Sequence, residues 1–320
     1  VSKYAVSKGP GKDRAVVPNT LSVNAVRDEE LVSHRPWVSG WLRHVVGAPA
    51  SRVVGIVVLG VIVLACIVIP IVYPYGPDDF VAPPFQAPSF AYPFGTDSVG
   101  RDVFLRTFAG GRVDLTAGVV VTLFALVVGT LLGTLAGASR SRWVDSLIMR
   151  IVDAVLAFPL VILLLALVVL IGADAAWGPA PPGLPAATIA LMCVMWSGYA
   201  RVARGQALSL RDSDFVLATR VAGISNTRVV TRHIIPGVSR ITIALAVSDI
   251  VMVVVILSSL PFLGAGVQPP AAEWGSIMYE GRAYLRQAWW ITICPGAVLA
   301  LTGLSLSFIA DSLLDSRRKK

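Results

Sequence analysis

From position 53 onward the chain alternates between long uncharged apolar runs and shorter polar segments. Residues 53–73 supply 21 positions without a charge, 115–139 supply 25, 154–173 supply 20, 184–200 supply 17 and 288–310 supply 23. Residues 241–266 form a further run, apolar except for Asp249. About 20 apolar residues in a helix cross a hydrocarbon core roughly 30 Å thick. The pattern predicts an all-α, polytopic membrane protein with six transmembrane helices. Polar stretches flank them at 1–52, 74–114, 201–240 and 264–287. The expected organisation is a largely disordered tail at 1–50, a six-helix domain at 51–316 and a basic terminus at 317–320. Within the tail, Trp37, Trp41 and Leu42 before Arg43 suggest a short interfacial helix. The first apolar run begins too late for the core of a cleavable leader.

Composition narrows the class. Charged residues make up 14% of the chain, against about 25% in ordinary soluble domains, and hydrophobic ones 55%. The mean hydropathy of +0.74 leaves a soluble protein nowhere to hide its apolar surface. A net charge of +8 raises the question of nucleic acid, but the placement of the basic residues answers it. With the N-terminus inside, 22 of the 27 Lys and Arg residues fall in inner segments and five in outer ones. That bias is the signature of topology and lipid headgroups, and it puts both termini in the cytoplasm. Cys66, Cys193 and Cys294 each lie in an apolar run without metal-ligand or disulfide spacing, and read as small buried hydrophobes.

The inner segment 205–237 reads as two short helices. Asp212, Ser213 and Asp214 offer caps and favourable charge for a helix from Phe215. Gly223 suits the left-handed residue that ends it, Ser225 caps a second helix, and Pro236 is expected to stop that one. A two-turn helix is marginal by itself, so it must dock on something. Asp249 lies mid-span, where a carboxylate is costly. It either lines a path through the membrane, where it can meet an amino group, or is protonated or hydrogen-bonded to a neighbouring helix as structural glue. Asp145 and Asp153, near Arg150, read as an interfacial ion pair, and His233 as part of the inner loop. Gly129, Gly133 and Gly137 recur every four residues, a spacing that lets helices approach closely. No phosphate-binding loop, zinc-protease motif, nucleophile elbow or clustered His/Cys/carboxylate set is present, so no catalytic or metal residue is assigned.

The stretch 215–236, FVLATRVAGISNTRVVTRHIIP, resembles the cytoplasmic loop of ABC importer permeases, and WSGYARVARGQALSLR at 196–211 is similar to its approach. FGTDSVGRDVF at 94–104, FLGAGVQPP at 262–270 with Glu273-Trp274-Gly275, and the ending with Pro295-Gly296 and Asp311 to Asp315 resemble the dipeptide/oligopeptide (DppC/OppC-like) branch. The resemblance covers about residues 50–316. Leu217 stands where Glu is usual, Thr219 where Ala is usual, Ala310 where Gly is usual, Leu257 for a frequent Glu and Pro261 for a frequent Ser.

The resemblance implies a type I ABC importer permease of a bacterial inner membrane, moving short peptides. It makes Phe215, Ala218, Thr219, Arg220, Gly223 and Ser225 the ATPase-coupling residues. Asp249 is then a candidate for the translocation path. Asp97, Arg101, Asp102, Glu273 and Trp274 are either a capped, anchored structure or a contact for a substrate-binding protein. Implied partners are a homologous second permease, one or two cytoplasmic ATP-binding subunits, an extracytoplasmic binding protein and membrane lipid, with no nucleic acid. The chain itself carries no cofactor, ATP and Mg belonging to the partner subunits. Permeases for nickel, glutathione or haem are similar, and a self-sufficient proton-coupled transporter using Asp249 is the rival from another class.

Overall fold

A computed structural model of the chain describes residues 50–318 except 140 and 179, with side chains except those of 50, 220 and 313–318. The chain divides into two units after Gly47, and the first of them lies outside the described residues. So do the tail assigned to 1–50, all but its last residue, the short helix at Trp37–Arg43 and His34 and His44.

The described chain is helical, with one isolated bridge between Thr96 and Asp102. α1 is Ala50–Val72, α2 Val103–Ala138, α3 Arg142–Leu156, α4 Leu160–Ile171 and α5 Leu184–Arg211. α6 is Asp214–Val221, α7 Asn226–Val229, α8 Ile235–Ser259, α9 Trp274–Gly281 and α10 Trp290–Arg318. Among the described residues five helices are long and apolar enough to cross a membrane, and α3 with α4 makes a sixth when the bent pair is counted as one.

The differences from the sequence reading have local causes. The second span starts at Val103, not near 115, because Arg106, Arg112 and Asp114 interrupt the apolar run without interrupting the helix. Its N-cap is Asp102, whose side chain accepts from the N–H groups of Phe104 and Leu105. At 36 residues α2 is about 54 Å long, well beyond a hydrocarbon core. At its other end Arg211 Nη1 donates to the carbonyls of Gly137 and Ser139, a cation on a helix C-terminus. The third span is not one helix: Pro159 breaks it, and α3 and α4 meet at 94°. With 12 residues, α4 rises about 18 Å and cannot cross alone. α5 continues to Arg211, far beyond the expected end at 200.

Pro236 does not stop a helix. A π-helical turn, Val230–Ile234, joins α7 to α8, and the helix runs on through the proline in the first turn of α8.

The small-residue ladder sets the tightest contact. A Cβ on Gly129 or Gly133 would collide with backbone of α5 at Trp196 and Ala200, and one on Gly137 would lie 2.6 Å from the Arg204 carbonyl. Ala200, Ala203 and Ala207 complete that seam. Next to it, Val121, Leu164, Leu191, Val253 and Leu257 form the principal core between α2, α4, α5 and α8. Leu257 is buried there. Of the cysteines, Cys66 is buried as expected, Cys294 half-buried and Cys193 exposed on the flank of the bundle.

Candidate functional site

Three places carry the residues singled out by sequence. The first is the segment after α5. Among its described side chains α6 buries Val216, packed with Ala138, Ala203, Ala207, Val229, Ile234 and Val238. Its other apolar residues face outward: Phe215, Leu217 and Ala218 are exposed, and Val221 is 90% exposed. Phe215 rests edge-on against His233, ring centres 5.1 Å apart, so the histidine of the π-helical turn braces α6. Thr219 Oγ1 donates to the Val216 carbonyl and presents little polarity outward. Gly223 has φ +80°, the left-handed geometry that turns the chain, with open space around it. Ser225 starts α7 from extended backbone but makes no side-chain cap, and the Ser213 hydroxyl donates back to Leu210 instead of capping α6. The Arg220 side chain lies outside the described residues.

The second place is a cavity of about 340 Å³ between α3, α4, α5 and α8. Asp249 lines it with Tyr199, Ser197, Leu156, Leu160 and Met252. Tyr199 and Asp249 are close enough to interact, but the hydroxyl makes no hydrogen bond of ordinary geometry. Below them Arg204 grips Asp145 through two bonds, 2.5 and 2.7 Å, and Arg201 meets Asp153 at 2.7 Å. The acids of α3 therefore pair with α5, not with Arg150.

The third place is the outer layer, and here the five candidates for binding-protein contact are all buried. Asp97 accepts from the backbone of Val99 and Arg101 and from Arg101 Nε. Arg101 reaches Glu280 at 2.7 Å, tying the loop before α2 to α9. Asp102 caps α2 and accepts from Tyr75 at 3.0 Å. Burial pushes the Asp102 carboxyl up, and burial followed by that hydrogen bond pushes the Tyr75 phenol up. Glu273 caps α9 with two 2.7 Å bonds from Gly275 and Ser276. Trp274 fills the space over Gly111, its indole donating to the Thr107 carbonyl and its backbone N–H to Asp114. Side chains so enclosed present no surface to a partner in this conformation. They weld the outer layer together.

Sequence reasoning missed two members of that weld. Arg106, 0% exposed, bonds Asp78 at 2.7 Å and the Pro270 carbonyl at 3.1 Å. Asp114, also fully buried, meets the Glu273 carboxyl. Burial holds the Glu273 carboxyl above its ordinary range, against the opposing pull of its hydrogen bonds. A buried acid and base inside an apolar helix were the available signal. Tyr199 was hidden within a motif stretch.

Spanning helices, a short apolar helix exposed between the fourth and fifth spans, and a cavity with a carboxylate define a polytopic membrane transport protein. The chain belongs to the binding-protein-dependent transport system inner membrane component family, which matches residues 129–320. It is the multi-pass inner-membrane permease component of an ABC transporter. It is similar to a protein of Brucella suis biovar 1 named as a peptide transport system permease, 37% identical over 231 residues, 72% of this chain and 74% of the relative. A second Brucella suis relative, named as a peptide permease, is 34% identical over 83% of this chain and 86% of its own. The dipeptide transport system permease protein DppC of Alkalihalophilus pseudofirmus is 36% identical, covering 72% and 73%. A chain of the MetNI methionine ABC transporter in inward-facing conformations shares the fold, with TM-score 0.53 and 19% identity over 65% of this chain and 94% of that one.

Proposed function

We propose that this permease serves an ATP-driven importer of short peptides, pairing with a homologous permease and receiving cargo from an extracytoplasmic binding protein. α6 is its coupling element: Phe215, Ala218, Thr219, Arg220, Gly223 and Ser225 sit on or beside the face that a cytoplasmic ATPase subunit grips. The observation that carries the reading is the exposed apolar surface of α6, Phe215, Leu217 and Val221, on a helix held, among the described side chains, by buried Val216 and the contact of Phe215 with His233. An eight-residue helix with so little burial needs a partner to stay formed. The excess of basic residues on the α6 side supports a cytoplasmic location for that face and for both termini. Asp249 and its cavity lie on the cargo path. The names of the relatives support a peptide cargo.

The test is Gly223→Glu. The left-handed backbone at Gly223 disfavours any Cβ by about 1–2 kcal/mol, and the added charge faces the partner. The variant is expected to insert normally, lose co-purifying ATPase and lose peptide uptake. Normal uptake by that variant refutes the coupling assignment. Purification of the wild-type chain without a sister permease or ATPase refutes the importer reading.

A further inference from the structure

The membrane cavity contains a carboxylate that the described residues leave without a counter-charge. Among the described residues Asp249 has no ion pair, and the nearby arginines of α5, Arg201 and Arg204, are already committed to Asp153 and Asp145. The Tyr199 side chain is 3% exposed, and its hydroxyl lies close enough to interact with the Asp249 carboxyl, though outside ordinary hydrogen-bond geometry. Ser197, the other hydroxyl on the lining, donates to the Val194 carbonyl. One acid without a counter-charge, with a phenol beside it, is therefore left lining the cavity. Buried polar groups are normally satisfied, and an acid at membrane depth is costly unless something positive meets it.

We propose that this cavity is a cargo subsite for a primary ammonium group. Asp249 takes the charged amino terminus of a short peptide, the Tyr199 hydroxyl beside it steadies the carboxylate, and Leu156, Leu160 and Met252 wall the first side chain. The assignment rests on the peptide-permease reading and adds to it the end of the peptide that is recognised. The volume of about 340 Å³ lies at the lower end of small-molecule sites, enough for the amino-terminal part of a peptide. A transition-metal ion would ask for several donors, and no group of three His, Cys, Asp or Glu gathers among the described residues. An ammonium needs only a carboxylate and a hydroxyl.

The experiment is a cycle between ligand and protein, run on the purified complex of this chain with its partner subunits. Binding of dialanine and of N-acetyl-dialanine is measured without ATP, for wild type, Asp249→Asn, Asp249→Glu and Tyr199→Phe. Wild type is expected to favour the free amine at least tenfold, as a charge-assisted hydrogen bond implies. Asp249→Asn removes that preference by weakening only the free amine, Asp249→Glu restores most of it, and Tyr199→Phe narrows it. An unchanged preference in Asp249→Asn, or equal weakening of both ligands, overturns the subsite while leaving the permease reading intact. The parallel control is dialanine uptake by vesicles carrying the wild-type complex. No ATP-driven uptake there overturns the peptide reading itself. Uptake that survives ATP depletion and collapses with the proton gradient overturns both, and makes Asp249 a proton carrier.

Discussion

Replacing Asp114 with Asn alters the buried contact in which two acids of α2 and α9 face each other. Both side chains are fully enclosed, and ionised carboxylates only accept hydrogen bonds, so the native pair must hold a proton between them. In the unfolded chain an ordinary carboxyl releases its proton near pH 4. The native state therefore binds more protons than the unfolded one above that pH, and stability falls as pH rises. In Asp114→Asn the amide keeps an oxygen for the Trp274 N–H, bonded at 3.0 Å in the wild type, and offers an N–H to Glu273. The penalty disappears, so the variant gains most over wild type at neutral pH and little in acid. Glu273→Gln behaves differently. Its amide has one accepting oxygen for the two backbone N–H groups that Glu273 caps, and loses about 1 kcal/mol or more. Thermal unfolding of the full chain in detergent, scanned from pH 5 to pH 8, measures both effects. A wild-type midpoint that rises across that range, or an Asp114→Asn variant less stable at pH 7 than at pH 5 relative to wild type, refutes the shared proton.

Two further perturbations probe the frame. Arg106→Ala leaves the Pro270 carbonyl without its donor and opens a buried hole, while Asp78 is hydrated, and is expected to cost about 1–3 kcal/mol in thermal or denaturant unfolding. Arg106→Lys recovers only part of that loss, since one ammonium cannot span Asp78 and Pro270 in the same fork. Gly133→Leu drives a side chain into the Ala200 backbone across the α2–α5 seam, and should lower stability by about 1–3 kcal/mol or more and reduce recovery of folded protein. A Leu at the exposed Leu131 position changed to Ala instead should be nearly silent in the same assay.

Apolar runs reported the existence of the spans well because each run of about 20 residues meets a single physical demand. They reported the ends poorly. Arg106, Arg112 and Asp114 broke the run but not the helix, because the outer loops supply Asp78, Pro270, Glu273 and Trp274 to bury two of those charges. Pro236 misled in the opposite sense, since a π-helical turn absorbs it, while Pro159, inside an unbroken apolar run, produced the sharpest bend in the chain. The glycine ladder was legible because its spacing has one use, close approach of a neighbour. The outer acids were legible as important and not as contacts: composition shows a charge, but only the fold shows whether it faces water or an arginine. Tyr199 had no signature at all, because a phenol set beside Asp249 on a neighbouring helix is a property of the packed helices and not of either segment.

The length of α2 makes it a lever as well as a span. Its outer end is welded by Asp102 and Arg106 to the loops, and its inner end is grasped by Arg211 at the root of α6. A rod of about 54 Å that tilts by about ten degrees carries one tip roughly 9 Å relative to the other. Stiffness of this kind lets a small turn at one surface of the bilayer be delivered as a stroke at the opposite one, with no chain of intermediate rearrangements in between.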